Sequence, residues 1–370
     1  MKIGLITLHC ALNYGAVLQA TALYNTLEEI SPNTDLLNFR QPHICSIVDH
    51  TRKSELTNLR NLLRYIVKGR MIRSKKNNFD LFLSNHITNI TDECNTFDEL
   101  QKYCGKNPYD VIVCGSDQIW NPYITHFESA FFLKFANADS KKISFAASIG
   151  QDKIKEDGIR FISENISEID TISVREESAV EILRQAGVEK AVSVNLDPVF
   201  FLKSEEWEKK EIPVKLGPRF KNYILVYRLT DNPLMDKVLK ELTEKTGMPC
   251  VAITERLGKI PFITKKFTSV GPGEFLYLMN NADYVVTDSF HGICFSMIFR
   301  KKLIAISNLA RNTRIVNLLS KTGMSEGLVN QNEEKAFIPE VDYEKKYAYC
   351  MEIIEEERKK NLDYLKEEIR

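Results

Sequence analysis

Fully apolar runs that stop at a polar or glycine-bearing loop and lead into helical spacing recur along this chain. That alternation constrains its fold more than any other feature. KIGLITL leads into AVLQATALYNTLEEI, DVIVCGSDQIW and KKISFAASIG repeat the logic, and TISVREESAVEILRQAG carries a strand into a helix that Gly187 can end. VSVNLDPVFF, NYILVYRL, PCVAITE, ADYVVTD and KKLIAIS continue the series, with the helical PLMDKVLKELTEKTG among them. Strands apolar on both faces and separated by helices belong to a parallel sheet covered on both sides. A chain of 370 residues is too long for a single hydrophobic core. The expected fold is therefore α/β with two Rossmann-like domains facing a cleft, over residues 1–160 and 161–335. The strongly helical run at 336–370 is expected to pack back on the first domain.

Fifty basic residues balance fifty acidic ones, so no overall field draws the protein to nucleic acid, and an anionic partner must be recognised locally. No stretch approaches the roughly 18 apolar residues of a membrane span, and MKIGLITLHC lacks a signal-peptide pattern, so the expected location is cytoplasmic. Eight cysteines are scattered singly, without CxxC or CxxH spacing, and imply neither zinc nor a disulfide framework. Residues 52–76 stand apart: Arg52, Lys53, Arg60, Arg64, Lys68, Arg70, Arg73, Lys75 and Lys76 face one acid, Glu55. Leu56, Leu59, Leu63, Ile66 and Val67 recur there at helical spacing. Such a helix either lies solvated over the core or rests on the anionic inner face of a membrane.

Four loops carry candidate chemistry. In HCALNYGAVLQATAL, Asn13, Tyr14 and Gly15, with Gln19 one turn later, stand where a strand's carboxyl end meets a helix N-terminus, the usual place for ligands in open α/β folds. CGSDQIWNP gathers Ser116, Asp117, Gln118, Trp120 and Asn121, offering a carboxylate base and a flat ring for a sugar, or else a helix cap and a core tryptophan. In SVREESAV, Arg175 ends a strand and can grip a carboxylate or phosphate bidentately. DYVVTDSFHGICFSMIF carries the strongest signal: Asp288 and Ser289 precede His291, which opens an apolar helix where the dipole favours an anion. Downstream, Arg311 and Arg314 add two phosphate candidates.

NYGAVLQATAL, GSDQIWNP, VREESAV, LDPVFF and TDSFHGICFSMI, in this order, resemble the bacterial polysaccharide pyruvyl transferases over roughly residues 3–320. The resemblance implies a two-domain GT-B-like fold and transfer of the enolpyruvyl carbons of phosphoenolpyruvate to a sugar hydroxyl pair as a cyclic ketal. By the same resemblance, Arg175 and His291 fall on the phosphoenolpyruvate-binding arginine and histidine, and Arg311 and Arg314 compete for a third cationic position. On this reading the C-terminal half holds the donor, Asn13, Gln118, Asp117 and Trp120 hold the sugar, and Asp117 is the base. Phosphoenolpyruvate is donor substrate, the acceptor a lipid-linked saccharide of surface polysaccharide synthesis, and neither cofactor nor metal is expected, since no carboxylate cluster has metal spacing. Two other readings fit parts of the chain: a nucleotide-sugar glycosyltransferase of the same fold, and a non-catalytic partner in polysaccharide assembly.

Overall fold

A computed structural model describes residues 1–45, 59–307, 313–330 and 338–370. In the first domain, strands β1 (Ile3–Ile6), β2 (Thr34–Leu36), β3 (Val111–Cys114) and β4 (Lys141–Ser144) form a parallel sheet in the order β2-β1-β3-β4. Strands β5 (Ile172–Val174) and β6 (Val192–Val194) pair in parallel. Parallel bridges from Ile143 to Thr171 and from Ala147 to Val174 join β5 to β4, and Arg175 N donates to Ala147 O. The first sheet thus continues through β6, and the boundary expected at residue 160 falls too early. Apolar strand runs look alike on both sides of a boundary, so only the pairing reveals it.

The second sheet contains β7 (Ile224–Tyr227), β8 (Cys250–Ile253), β9 (Ile263–Phe267), β10 (Tyr284–Thr287), β11 (Lys302–Ile306) and β12 (Leu328–Val329). Its order is β12-β11-β10-β7-β8-β9, again all parallel. Each sheet has one point where successive connections leave in opposite directions: between β1 and β3 in the first, and between β7 and β10 in the second. Loops at such points splay apart and leave a crevice at the strands' carboxyl ends. Those four loops hold Asn13, Asp117, Thr230 and His291, so the fold brings three residues singled out by sequence to the same strand ends, with Thr230 beside them.

Local chemistry fixes the helices that aim these loops. Asn13 caps the helix Tyr14–Ile30 by accepting from Gly15 N at 2.9 Å, and Ser289 caps Phe290–Ile298 by accepting from Gly292 N at 3.2 Å. Asn232, Pro233 and the left-handed Gly247 delimit the helix Pro233–Thr246. Between the domains, Tyr14 stacks on Phe275 at 4.6 Å and donates its hydroxyl to Val270 O. The helix Tyr343–Ile369 spans both: Tyr347 OH donates to Lys301 O in the second domain, while Asn361 and Glu368 accept from Leu196 N and Thr171 Oγ1 in the first.

The basic segment is part of a longer helix, Leu59–His86, whose residues Met71, Lys75, Phe79, Phe82 and Leu83 are buried. Lys75 turns inward, donating to Leu12 O and Glu255. Arg52, Lys53, Glu55 and Leu56 lie outside the described residues. Among the described residues no helix is long and apolar enough to cross a membrane. One cysteine expectation is corrected: Cys10 and Cys45, 35 residues apart, form a disulfide beside the loop after β1. The other six are buried thiols.

Candidate active site

Arg175, at the carboxyl end of β5, is 8% exposed and surrounded by carboxylates. Its Nη1 donates to Asp197 Oδ2 at 2.5 Å, Nη2 lies 3.8 Å from Asp117 Oδ1, and Nε lies 3.7 Å from Glu176 Oε2. Burial opposes its charge, but Asp197, Glu176 and Asp117 outweigh that and hold its pKa above the ordinary arginine value. Asp197 also lies 3.3 Å from Nε2 of His291, which comes from the second domain. Burial alone raises the carboxyl pKa of Asp197; His291, Arg175 and the N–H of Val199 overcome it and hold the group well below the usual carboxylate range. Two groups expected together in the C-terminal half therefore meet across the domain boundary, joined by an aspartate.

Several polar atoms here are buried without a hydrogen bond: Nε and Nη2 of Arg175, Nδ2 of Asn195 and Nε2 of His291. Buried donors are normally satisfied, so a group of them in a cleft marks where a ligand's acceptors belong. A cavity of about 410 Å³ adjoins Arg175 and Asn195, lined also by Asp197, Phe290, Arg314 and Lys321 among others. The Arg175 guanidinium sits 4.6 Å from the Phe290 ring centre and that of Arg314 5.7 Å from it, so one aromatic face gathers two cations. Arg311 lies outside the described residues.

The remaining sequence candidates divide. Asp117, with φ of +64° at the turn after β3, has a side chain 9% exposed, against 2% for Glu176 and 0% for Asp197. It is the most exposed of the three carboxylates around Arg175. Asn13 is exposed and lines a second cavity, of about 570 Å³, at the carboxyl ends of β7 and β8. Gly15 abuts His291: a Cβ there would lie 1.9 Å from Nδ1 of the imidazole. Other candidates serve the scaffold. The Gln19 amide binds Thr7, Ala16 and Ser116 N, and Ser116 donates its hydroxyl to Ala146 O. Gln118 fills the space beside the left-handed Gly150 and accepts from Asn121, which caps a short helix through Tyr123 N.

Trp120 does not offer its face to a sugar. It is fully buried, stacked on Phe132 at 5.4 Å, with its indole N–H donated to Phe131 O. Asp288 accepts from Leu229 N, Thr230 N and Thr230 Oγ1, tying the loops after β7 and β10 together, and Tyr14 serves the domain contact. Sequence reasoning missed Asp197, Asn195, Phe290 and Lys321 as site residues. The signal for Asp197 was present in LDPVFF, where a carboxylate caps a proline-led turn by accepting from Val199 N. No group of three or more His, Cys, Asp or Glu side chains among the described residues is arranged to hold a metal ion.

Solved structures similar in fold include UDP-GlcNAc 2-epimerase from Methanocaldococcus jannaschii, with 14% identity, 96% of this chain and 92% of that chain covered, and a TM-score of 0.45. A UDP-N-acetylglucosamine 2-epimerase from Rickettsia bellii gives 12%, 99% and 98%, with a TM-score of 0.48. An E. coli heptosyltransferase with ADP gives 8%, 95% and 100%, with a TM-score of 0.44. No curated protein sequence matches the chain. The family model for polysaccharide pyruvyl transferase matches residues 13–309, a span that holds both switch-point crevices and the Arg175, Asp197 and His291 cluster, and the chain belongs to that family.

Proposed function

We propose that the protein transfers the enolpyruvyl group of phosphoenolpyruvate to a hydroxyl pair of a sugar, forming a cyclic ketal. The observation that carries this reading is the set of buried N–H donors without a hydrogen bond on Arg175 and Asn195, beside a cavity that Arg314 also lines and joined to His291 through Asp197. Phosphoenolpyruvate is a small molecule with a carboxylate and a phosphate, and cations spaced around one cleft suit both groups. In the reaction, the methylene carbon takes a proton and the neighbouring carbon becomes electrophilic. One sugar hydroxyl adds there and releases its proton. The second hydroxyl then attacks the same carbon as the C–O bond to phosphate breaks; phosphate leaves with the bonding electrons and takes up the second proton. Arg175, His291 and Arg314 stabilise that leaving charge, and Asp117, the most exposed carboxylate of the cluster, accepts a hydroxyl proton. Because these side chains supply the positive charge, the reaction is expected to need neither cofactor nor metal.

Phosphate release from phosphoenolpyruvate, measured with a panel of galactosides, glucosides and mannosaminides, tests the reading. Acceptor-dependent release that is lost in His291→Ala, and that persists after exhaustive chelation, is the expected result. No release with any acceptor, together with tight binding of a nucleotide sugar, would replace it with a glycosyltransferase reading.

We infer further that the acceptor is presented at a membrane on a lipid carrier. Tyr65, Ile66 and Val67 are exposed on the helix Leu59–His86, about one turn from Arg70 and two from Arg73. Exposed apolar residues beside basic ones suit an anionic bilayer surface. Co-sedimentation with anionic vesicles at low salt is the expected outcome, and its absence would leave a solvated helix.

A further inference from the structure

The guanidinium of Arg175 is bonded less fully than its surroundings allow. Asp117, Glu176 and Asp197 all lie within 3.8 Å of it, yet the hydrogen bond it makes is the one from Nη1 to Asp197. Nε stops 3.7 Å from Glu176 and Nη2 3.8 Å from Asp117, both too far to bond, and both nitrogens stay buried without a hydrogen bond. A buried donor left open costs free energy, and a carboxylate so near should close on it. A restraint must therefore hold the guanidinium back.

That restraint is the ring of Phe290. Its centre lies 4.6 Å from the Arg175 guanidinium and 5.7 Å from that of Arg314, and the ring stands edge-on to the His291 imidazole at 5.4 Å and 88°. One ring from the second domain thus meets all three groups that the proposed reaction asks to hold an anion. Phe290 opens the helix Phe290–Ile298, whose start the Ser289 cap fixes, so the backbone sets where the ring stands. A guanidinium over a ring is attracted by the ring's quadrupole and loses that attraction when it slides off. Arg175 is held twice, at Nη1 by Asp197 and across its plane by the ring, and turning Nε and Nη2 onto Glu176 and Asp117 would break the second hold. The ring also lines the 410 Å³ cavity together with Arg175 and Arg314.

Resting on the reading that phosphoenolpyruvate binds at Arg175 and His291, we propose that Phe290 is a positioning residue, which keeps Nε and Nη2 of Arg175 off Glu176 and Asp117 and open to the oxygens of the anionic donor. Without the ring, the guanidinium closes on its own carboxylates and the donor must compete with them. The ring is neutral, so removing it leaves the charge of the site unaltered, and a change in donor affinity reports the placement of Arg175.

Phe290→Leu removes the ring and keeps an apolar side chain at a half-buried position, whereas Phe290→Tyr keeps the ring. Urea unfolding verifies that both variants fold. Phosphoenolpyruvate is titrated calorimetrically into wild type and each variant without acceptor, and phosphate release is followed with the sugar panel. Phe290→Leu should bind phosphoenolpyruvate about tenfold more weakly, the effect of one hydrogen bond to a charged group, and raise its KM in step. Its kcat should change by less than about threefold, because Gly15 and Asp197 still fix His291. Phe290→Tyr should restore the affinity. A leucine variant that binds like wild type, or a folded tyrosine variant as weak as the leucine one, overturns the proposal. Crystal structures of ligand-free wild type and Phe290→Leu give a readout that needs no substrate: in the variant, Nε and Nη2 should close to about 3 Å from Glu176 and Asp117. A guanidinium that stays in place overturns the proposal. If wild type binds no phosphoenolpyruvate, the transfer reading fails and these two structures alone decide the role of Phe290. If wild type binds it and the leucine variant does so equally well, the donor reading stands and Phe290 belongs to the scaffold.

Discussion

Gly15 lacks a side chain because an imidazole from the other domain occupies the space one would need. An alanine Cβ at that position would lie 1.9 Å from Nδ1 and 2.2 Å from Cγ of His291, which is closer than any stable contact. Either the ring moves or the helix Tyr14–Ile30 backs away. Gly15→Ala is therefore expected to lower turnover by about 10²-fold, the cost of moving a catalytic group by roughly 1 Å. Its stability cost should be about 1–3 kcal/mol, as for overpacking. Phosphate-release kinetics and a denaturant melt on the same preparation check this, and an unchanged kcat would show that His291 tolerates displacement. The sequence marked Gly15 for close approach, but it could not say that the approaching group is a side chain some 276 positions later. Trp120 shows the opposite error. Its polar neighbours suggested a sugar platform, yet its ring and N–H are both satisfied inside the first domain.

At the scale of elements, the alternation of apolar runs and helical spacing made the strands legible, because a strand buried on both faces leaves a continuous apolar signature. Short or partly exposed strands left a weaker one: β2 has three residues, β12 has two, and β9 is not fully buried. The sheet to which β5 and β6 belong was not legible, since it depends on bridges to β4 and not on the strands' own residues. What turns these sheets into a site is the pinning of loops at the switch points. Asp288 does this in the second domain, accepting from Leu229 N at 2.7 Å, from Thr230 N at 2.9 Å and from Thr230 Oγ1 at 2.5 Å. Asp288→Ala leaves these donors to other partners or to water, and is expected to destabilise the fold by about 2–4 kcal/mol in urea unfolding. It should also lower kcat for phosphate release, because Asp288 lies three residues before His291 and ties the two switch-point loops together. An unchanged kcat in a destabilised variant would mean that the pinned loops do not position His291.

For the whole molecule, the question is what holds two separately wound domains in register at the Arg175–His291 pair. The packing of Tyr14 on Phe275 and the helix Tyr343–Ile369 supply contacts that are largely insensitive to pH. The link from Arg175 through Asp197 to His291 is different, because it depends on a buried carboxylate staying ionised. The folded-state pKa of Asp197 lies below that of an unfolded aspartate, about 3.9. The folded state thus binds its proton less readily than the unfolded state. The stabilising contribution is present above the unfolded pKa and is lost as pH falls through that value toward the folded one. Asp197→Asn removes the contribution and leaves Arg175 without its closest anion, so wild type should exceed the variant by about 3 kcal/mol at pH 7. Urea unfolding of both proteins between pH 7 and pH 3 should show this gap steady down to about pH 5 and narrowing below about pH 4. A gap that stayed constant to pH 3 would mean that Asp197 acts through shape alone and that its charge does not join the domains.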